Sequence, residues 1–161
     1  MNRSGKNLSM AVALAGLVTS APLLAAECPA SIPGSFDLAD TFKDRGPESA
    51  WVGSPELAAL VPANAYWKGM GKDYNYRNKW WWWREGYSAH EEPLPALVIT
   101  AIRLDGSTDP FRVDDATNAL SLGPNDDDLM LVGMEFPEAG CWEVIGSYGV
   151  EELRFVFEVG D

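Results

Sequence analysis

The chain has 161 residues, with 24 Asp and Glu against 12 Lys and Arg, for a formal net charge of −12. Such a balance repels phosphate backbones and anionic membranes, which excludes nucleic acid as a partner. The length suits one domain with one core, and one His and two Cys without a CxxC pair leave no zinc signature.

Residues 1–26 read as a secretory signal peptide. Arg3 and Lys6 form its charged end, Met10–Ala26 its apolar run, and Leu24-Ala25-Ala26 a signal-peptidase site. The competing reading is an uncleaved anchor, but Ser20 and Pro22 weaken a run already marginal for a span. Cys28 invites a lipoprotein reading, yet Glu27 stands where a lipobox needs a small residue. Cleavage leaves Glu27–Asp161, more acidic still and without another apolar run of the roughly 20 residues a span needs. The expected location is periplasmic or extracellular, with no membrane insertion after cleavage. In such an oxidising compartment Cys28 and Cys141 are predicted to form a disulfide.

Residues 27–50 read as an irregular lead-in, punctuated by Pro29, Pro33, Gly34, Gly46 and Pro47. Phe36, Leu38 and Phe42 could tuck onto a face of the domain, which is expected to occupy residues 51–161. Trp51-Val52-Gly53 is a strand candidate. Ser54-Pro55-Glu56 has the form of a helix start and predicts a short helix near 55–61, stopped by Pro62. Residues 64–78 form the locally basic stretch, read as a loop carrying Tyr66, Trp67, Tyr74 and Tyr76, with Lys68, Lys72, Arg77 and Lys79 in and beside it.

Trp80-Trp81-Trp82-Trp83 follows as a strand that turns two indoles to each side. One pair can enter the core, while the other needs cover, a ligand or a partner chain. Arg84–Pro95 is a turn region holding His90, Glu91 and Glu92, which reads as a surface group because the ligand spacing for a metal is wrong. Ala96–Leu104 is a strong strand, followed by shorter candidates at Phe111–Val113 and Ala116–Leu122. Asn125–Asp128 is a charged turn without the spacing of a calcium loop. No metal or other cofactor is expected.

Leu129–Phe136, Cys141–Tyr148 and Leu153–Val159 form an antiparallel meander. Alternation puts Met130, Val132, Met134 and Phe136 on one face of the first strand, and Leu153, Phe155, Phe157 and Val159 on one face of the third. Trp142, Val144 and Gly146 share a side of the second. Residues 51–161 are therefore expected to form an all-β antiparallel sandwich.

The corner Phe136–Val144 resembles the E–F corner of immunoglobulin-like domains. Glu138, Gly140, Trp142 and Val144 keep its alternating rhythm. Trp142 replaces the usual Tyr, so its indole N–H would make the bond back to the chain. Val144 replaces the usual core Cys, and Cys141 sits on the opposite face. The resemblance implies an Ig-like sandwich without the standard inter-sheet disulfide. The chain is also similar to a group of uncharacterised secreted bacterial proteins, through Met130–Gly146 (MLVGMEFPEAGCWEVIG), Trp82–Tyr87 (WWREGY), Leu104–Gly106 and Ala116–Ala119. That similarity implies a fold and an export route, and no activity.

No phosphate loop, dinucleotide fingerprint or nucleophile elbow is present. The leading expectation is a non-catalytic binding or accessory module that recognises a protein, peptide or glycan through Tyr66, Trp67, Tyr74, Tyr76, Trp81 and Trp83. The alternatives are a purely structural envelope protein, with these aromatics as packing, and a carboxylate-dependent glycan hydrolase.

Overall fold

The alternating apolar patterns produce two five-stranded sheets packed face to face as a β-sandwich. The computed structural model describes residues 28–31, 48–68, 76–119 and 128–160. The expected signal peptide, the side chains of Phe36, Leu38 and Phe42, Tyr74 and the turn at 125–127 lie outside those residues.

Among the described residues every regular element is a strand. The first sheet is built from β1 (Ser49–Ser54), β2 (Leu57–Pro62), β4 (Tyr76–Trp83), β7 (Thr117–Ala119) and β8 (Leu129–Phe136), in the order β1-β2-β4-β8-β7. The second holds β3 (Tyr66–Lys68), β5 (Leu97–Arg103), β6 (Phe111–Val113), β9 (Gly140–Tyr148) and β10 (Glu151–Gly160), in the order β3-β10-β9-β5-β6. All neighbours pair antiparallel except β3, which lies parallel to β10.

The meander takes its predicted form. Met130, Val132, Met134 and Phe136 of β8 face Trp142 and Val144 of β9 and Leu153, Phe155, Phe157 and Val159 of β10 across one core. Burying each large side chain contributes roughly 1.5–3 kcal/mol. Aromatic rings occupy the middle: Phe136 sits 5.3 Å from Trp142, 5.4 Å from Phe157 and 6.0 Å from Trp80, measured between ring centroids. The β8–β9 corner closes as its spacing implies. The Trp142 indole N–H donates to the Glu138 carbonyl at 3.3 Å, and Arg103 lies over the Trp142 ring with ion pairs to Glu138 (3.0 Å) and Asp105 (3.1 Å).

Two sequence expectations are corrected. The helix near 55–61 does not form: Leu57–Pro62 is strand β2, paired with β1 from Ser54↔Leu57 to Ser49↔Pro62. Pro55 and Glu56 are the two residues of its hairpin turn, since Pro fits a turn as readily as a first helical turn. The Ser54 side chain bonds the Glu56 carboxylate and lowers its pKa. The segment LAALVP lacks alternation because both of its faces are covered. Leu57, Ala59 and Val61 enter the main core, while Ala58 joins Trp51, Trp83 and Leu129 in a second apolar cluster on the far face. The basic stretch 64–78 is likewise more than a loop, for it contains β3 and the start of β4.

The predicted disulfide is present between Cys28 and Cys141. Ser31, three residues on, exchanges two backbone hydrogen bonds of 3.1 Å with Val156. The lead-in is thus tied to β9 through sulfur and to β10 through its backbone.

Candidate functional site

The first sheet has a split in it. β2 and β4 pair only at Ala58↔Trp83 and Ala59↔Trp82. Beyond that point β2 stays with β1 down to Pro62, while β4 stays with β8 up to Tyr76. The divergence follows from where the chain goes next. A tight turn, with Ala65 N–H donating to the Pro62 carbonyl at 3.0 Å, carries it out of the first sheet. Ala65 adopts a left-handed φ of 56° to complete the change of direction. β3 then pairs with β10 in the other sheet, with Glu158 N–H bonded to the Ala65 carbonyl at 2.9 Å.

The opening is a notch of about 440 Å³. Ser49, Leu60, Val61 and Pro62 line one side and Asn78, Lys79, Trp80 and Trp81 the other, with Trp67 of β3 contributing from the opposite sheet. Trp67 and Trp80 meet edge to face with centroids 4.5 Å apart. They are 1% and 2% exposed, and neither indole N–H has an acceptor among the described residues. A buried donor without a partner costs about 1–3 kcal/mol, and the Trp82 indole N–H in the core is in the same condition. Asn78 Oδ1 accepts the Lys79 backbone N–H at 2.7 Å, which leaves the Asn78 amide nitrogen as a donor.

The six aromatics singled out from sequence are not brought together. Trp67 and Trp81 line the notch. Tyr66 is half-buried beside Gly160, where an added methyl would overlap its hydroxyl. Tyr76 stands across from Phe136 and packs against the main core. Trp83 is 8% exposed and sits in the second cluster, while Tyr74 is outside the described residues. Of the Trp run, Trp80, Trp82 and Trp83 are buried and Trp81 is half-buried. Sequence reasoning missed Leu60 and Val61, concealed by the helix reading. It named Lys79 only as part of a basic stretch.

A second cleft, of about 390 Å³, opens at the other end of β2, between Pro55, Glu56, Arg84, Glu85 and the β9–β10 turn at Tyr148–Glu151. Arg84 lies over the Tyr148 ring at 4.8 Å, and the Tyr148 hydroxyl donates to Glu92 Oε2. Glu92 also accepts the Ala96 backbone N–H through Oε1 at 2.7 Å, and its carbonyl accepts the Tyr87 hydroxyl at 3.1 Å. Glu92 thereby fastens the turn after β4 to β9, a structural duty invisible in sequence. Among the described residues no group of three or more His, Cys, Asp or Glu could hold a metal ion.

Burial, then the nearby charges of Glu92 and Asp128, push the Tyr87 hydroxyl from its usual 10 to about 12. A pKa raised on folding means the folded state holds the proton more tightly. Its contribution to stability is complete below pH 10 and is lost as pH rises through about 12. Burial and Glu92 raise the Tyr148 hydroxyl as well, so a spectrophotometric titration is expected to show tyrosines ionising late, with cooperative unfolding in that window, and Tyr87→Phe should reduce the amplitude of the late step. Ionisation of all tyrosines together near pH 10 in folded protein would refute this.

No protein-family model matches the chain, and neither curated proteins nor solved structures include a significant match.

Proposed function

We propose that the protein is an exported, immunoglobulin-like binding or accessory module, without catalytic activity, that holds its ligand in the notch between β2 and β4. The observation that carries this reading is the notch itself. It is an opening of ligand size, lined by apolar side chains and a few polar donors, in a sheet otherwise closed by pairing. Export is supported by the N-terminal pattern of residues 1–26 and by the Cys28–Cys141 disulfide, a bond that persists in oxidising compartments.

The strand order supports the Ig-like assignment. β2-β4-β8-β7 runs as A-B-E-D and β10-β9-β5 as G-F-C. In place of a disulfide between the B and F strands, Trp82 of β4 reaches across the core to Gly146 of β9.

The structural reading has its own support, since three of the four consecutive indoles are packing. One experiment separates the two. Ser49 is exposed at the notch mouth, so Ser49→Trp fills the mouth and spares both cores. Glycan and peptide arrays probed with wild type and this variant should give at least one ligand that wild type binds and the variant loses. If no array feature distinguishes the two proteins, the notch is not a recognition site and the structural reading stands.

A further inference from the structure

We propose that the notch captures its ligand through a carboxylate, with the Lys79 ammonium as the counter-charge and the apolar wall of Leu60, Val61, Pro62 and Trp81 holding the body of the ligand. This rests on the notch being the recognition site.

In a chain with 24 acidic residues, no carboxylate lines the notch among the described residues. Two other surface clefts are acidic as composition would suggest. The one at Arg84 includes Glu56, Glu85 and Glu151, and the groove along β6 includes Asp114, Asp115 and Glu135. Among the described residues the polar side-chain groups of the notch lining are the Lys79 ammonium, the Asn78 amide, the Ser49 hydroxyl and the indoles of Trp67, Trp80 and Trp81. Of these, only Ser49 and Asn78 carry a side-chain acceptor, and the Asn78 oxygen is already engaged by the Lys79 N–H. A lining so rich in donors fits a ligand rich in acceptors.

Lys79 is the charged member of that set. Among the described residues Lys68 and Arg84 also have no ion pair, but the neighbouring cation on the same face of β4 does: Arg77, two residues earlier, meets Glu135 of β8 at 2.6 Å. Arg103, Arg112 and Arg154 are matched in the same way. Opposite Lys79, however, β8 presents Gly133, which offers no side chain to pair with it. Among the described residues no acid lies within ion-pair distance of the Lys79 ammonium. The protein's overall negative charge repels an anion at long range, but that field is screened within about 10 Å at 0.1 M salt. A contact ion pair at the notch mouth persists, and its charge-assisted hydrogen bonds are stronger than neutral ones.

The apolar wall favours an apolar peptide C-terminus as the source of that carboxylate; a uronic acid ring, whose body is hydroxylated, is the other source the probes separate. Both fit an opening at the smaller end of the roughly 300–1,000 Å³ range of ligand sites.

The test is isothermal titration of the full protein with two matched pairs of probes. One pair is trigalacturonate and its methyl ester. The other is the apolar tripeptide Val-Leu-Phe as free acid and as C-terminal amide. One free acid is expected to bind, with its neutral counterpart about tenfold weaker or more, and the acid that binds names the source. Lys79→Gln should reduce the acid to the level of the neutral probe without moving the thermal unfolding curve. The inference is overturned if the neutral probes bind as well as the acids, if Lys79→Gln leaves the acid's affinity intact, or if neither acid binds at millimolar concentration. Ser49→Trp separates this failure from that of the broader reading. Neutral-probe binding lost in Ser49→Trp keeps the notch and removes the carboxylate, whereas binding that survives the filled mouth removes both.

Discussion

Replacing Gly146 by valine is expected to cost the protein its fold at ambient temperature. Gly146 lies near the middle of the second sheet, in register with Ile99 on β5 and Leu153 on β10. The Trp82 ring, fully buried, comes down on it from the first sheet, and a methyl built at this position would overlap that ring. The backbone on either side is fixed by two ladders, so β9 cannot retreat. Trp82 has little room to turn, with Phe155 at 6.2 Å between centroids and the pairing with Met130 and Ala59 holding its backbone. Overpacking a well-filled core commonly costs about 1–3 kcal/mol and sometimes more, against a total stability of roughly 5–15 kcal/mol. Gly146→Ala should therefore lower stability in urea by about 3 kcal/mol, and valine, with two more carbons, by more. Trp82→Leu also destabilises on its own, by opening a void. In the double variant with Gly146→Ala the new methyl fills part of that void, so the two losses should not add. Additive losses, or an unchanged midpoint for Gly146→Ala, would show that the two residues are not in contact.

Much of this fold was readable where a strand has one face on the core and one in water. β8 and β10 alternate cleanly for that reason, and the β8–β9 corner follows from the spacing of Glu138, Gly140 and Trp142. Reading failed where both faces are covered. Ala58 and Leu60 of β2 point away from the main core into another apolar cluster, so no polar residue marks the period of two. β3 was lost for a different reason. It is three residues long and owes its existence to a parallel partner, β10, that arrives some ninety residues later. The candidate site was legible in its residue types and illegible in its shape. Trp67, Lys79 and Trp81 all fall in the stretch singled out by composition. The notch, however, is a gap between two strands, created when the chain changes sheets after Pro62. No local pattern encodes a gap, and the same Trp run supplies core, second cluster and notch at successive positions.

Reduction of the single disulfide is expected to be the other large perturbation. Cys28 and Cys141 are 113 residues apart, and in the chain-entropy model closing a loop of that size contributes about 4–5 kcal/mol. That is a large share of the stability of one domain. Cys28→Ser and Cys141→Ser should each lower the urea midpoint as reductant does, and the double variant should lose no more than either alone, because one bond is removed in every case. The effect also has an address. The Val156 N–H donates to the Ser31 carbonyl, three residues from the tether, on the same edge of β10 that β3 occupies further along. Without the sulfur bridge, the segment 28–31 keeps this one isolated pairing to the described strands, which cannot offset the entropy of holding it in place. Hydrogen exchange at Val156 should therefore quicken on reduction under conditions where the sandwich stays folded, while the Phe155 and Phe157 amides, paired within the β9–β10 ladder, stay protected. If all three exchange together, the bridge supports the whole sandwich and is not a local tether. If none changes and the midpoint holds, the closed loop contributes nothing to stability.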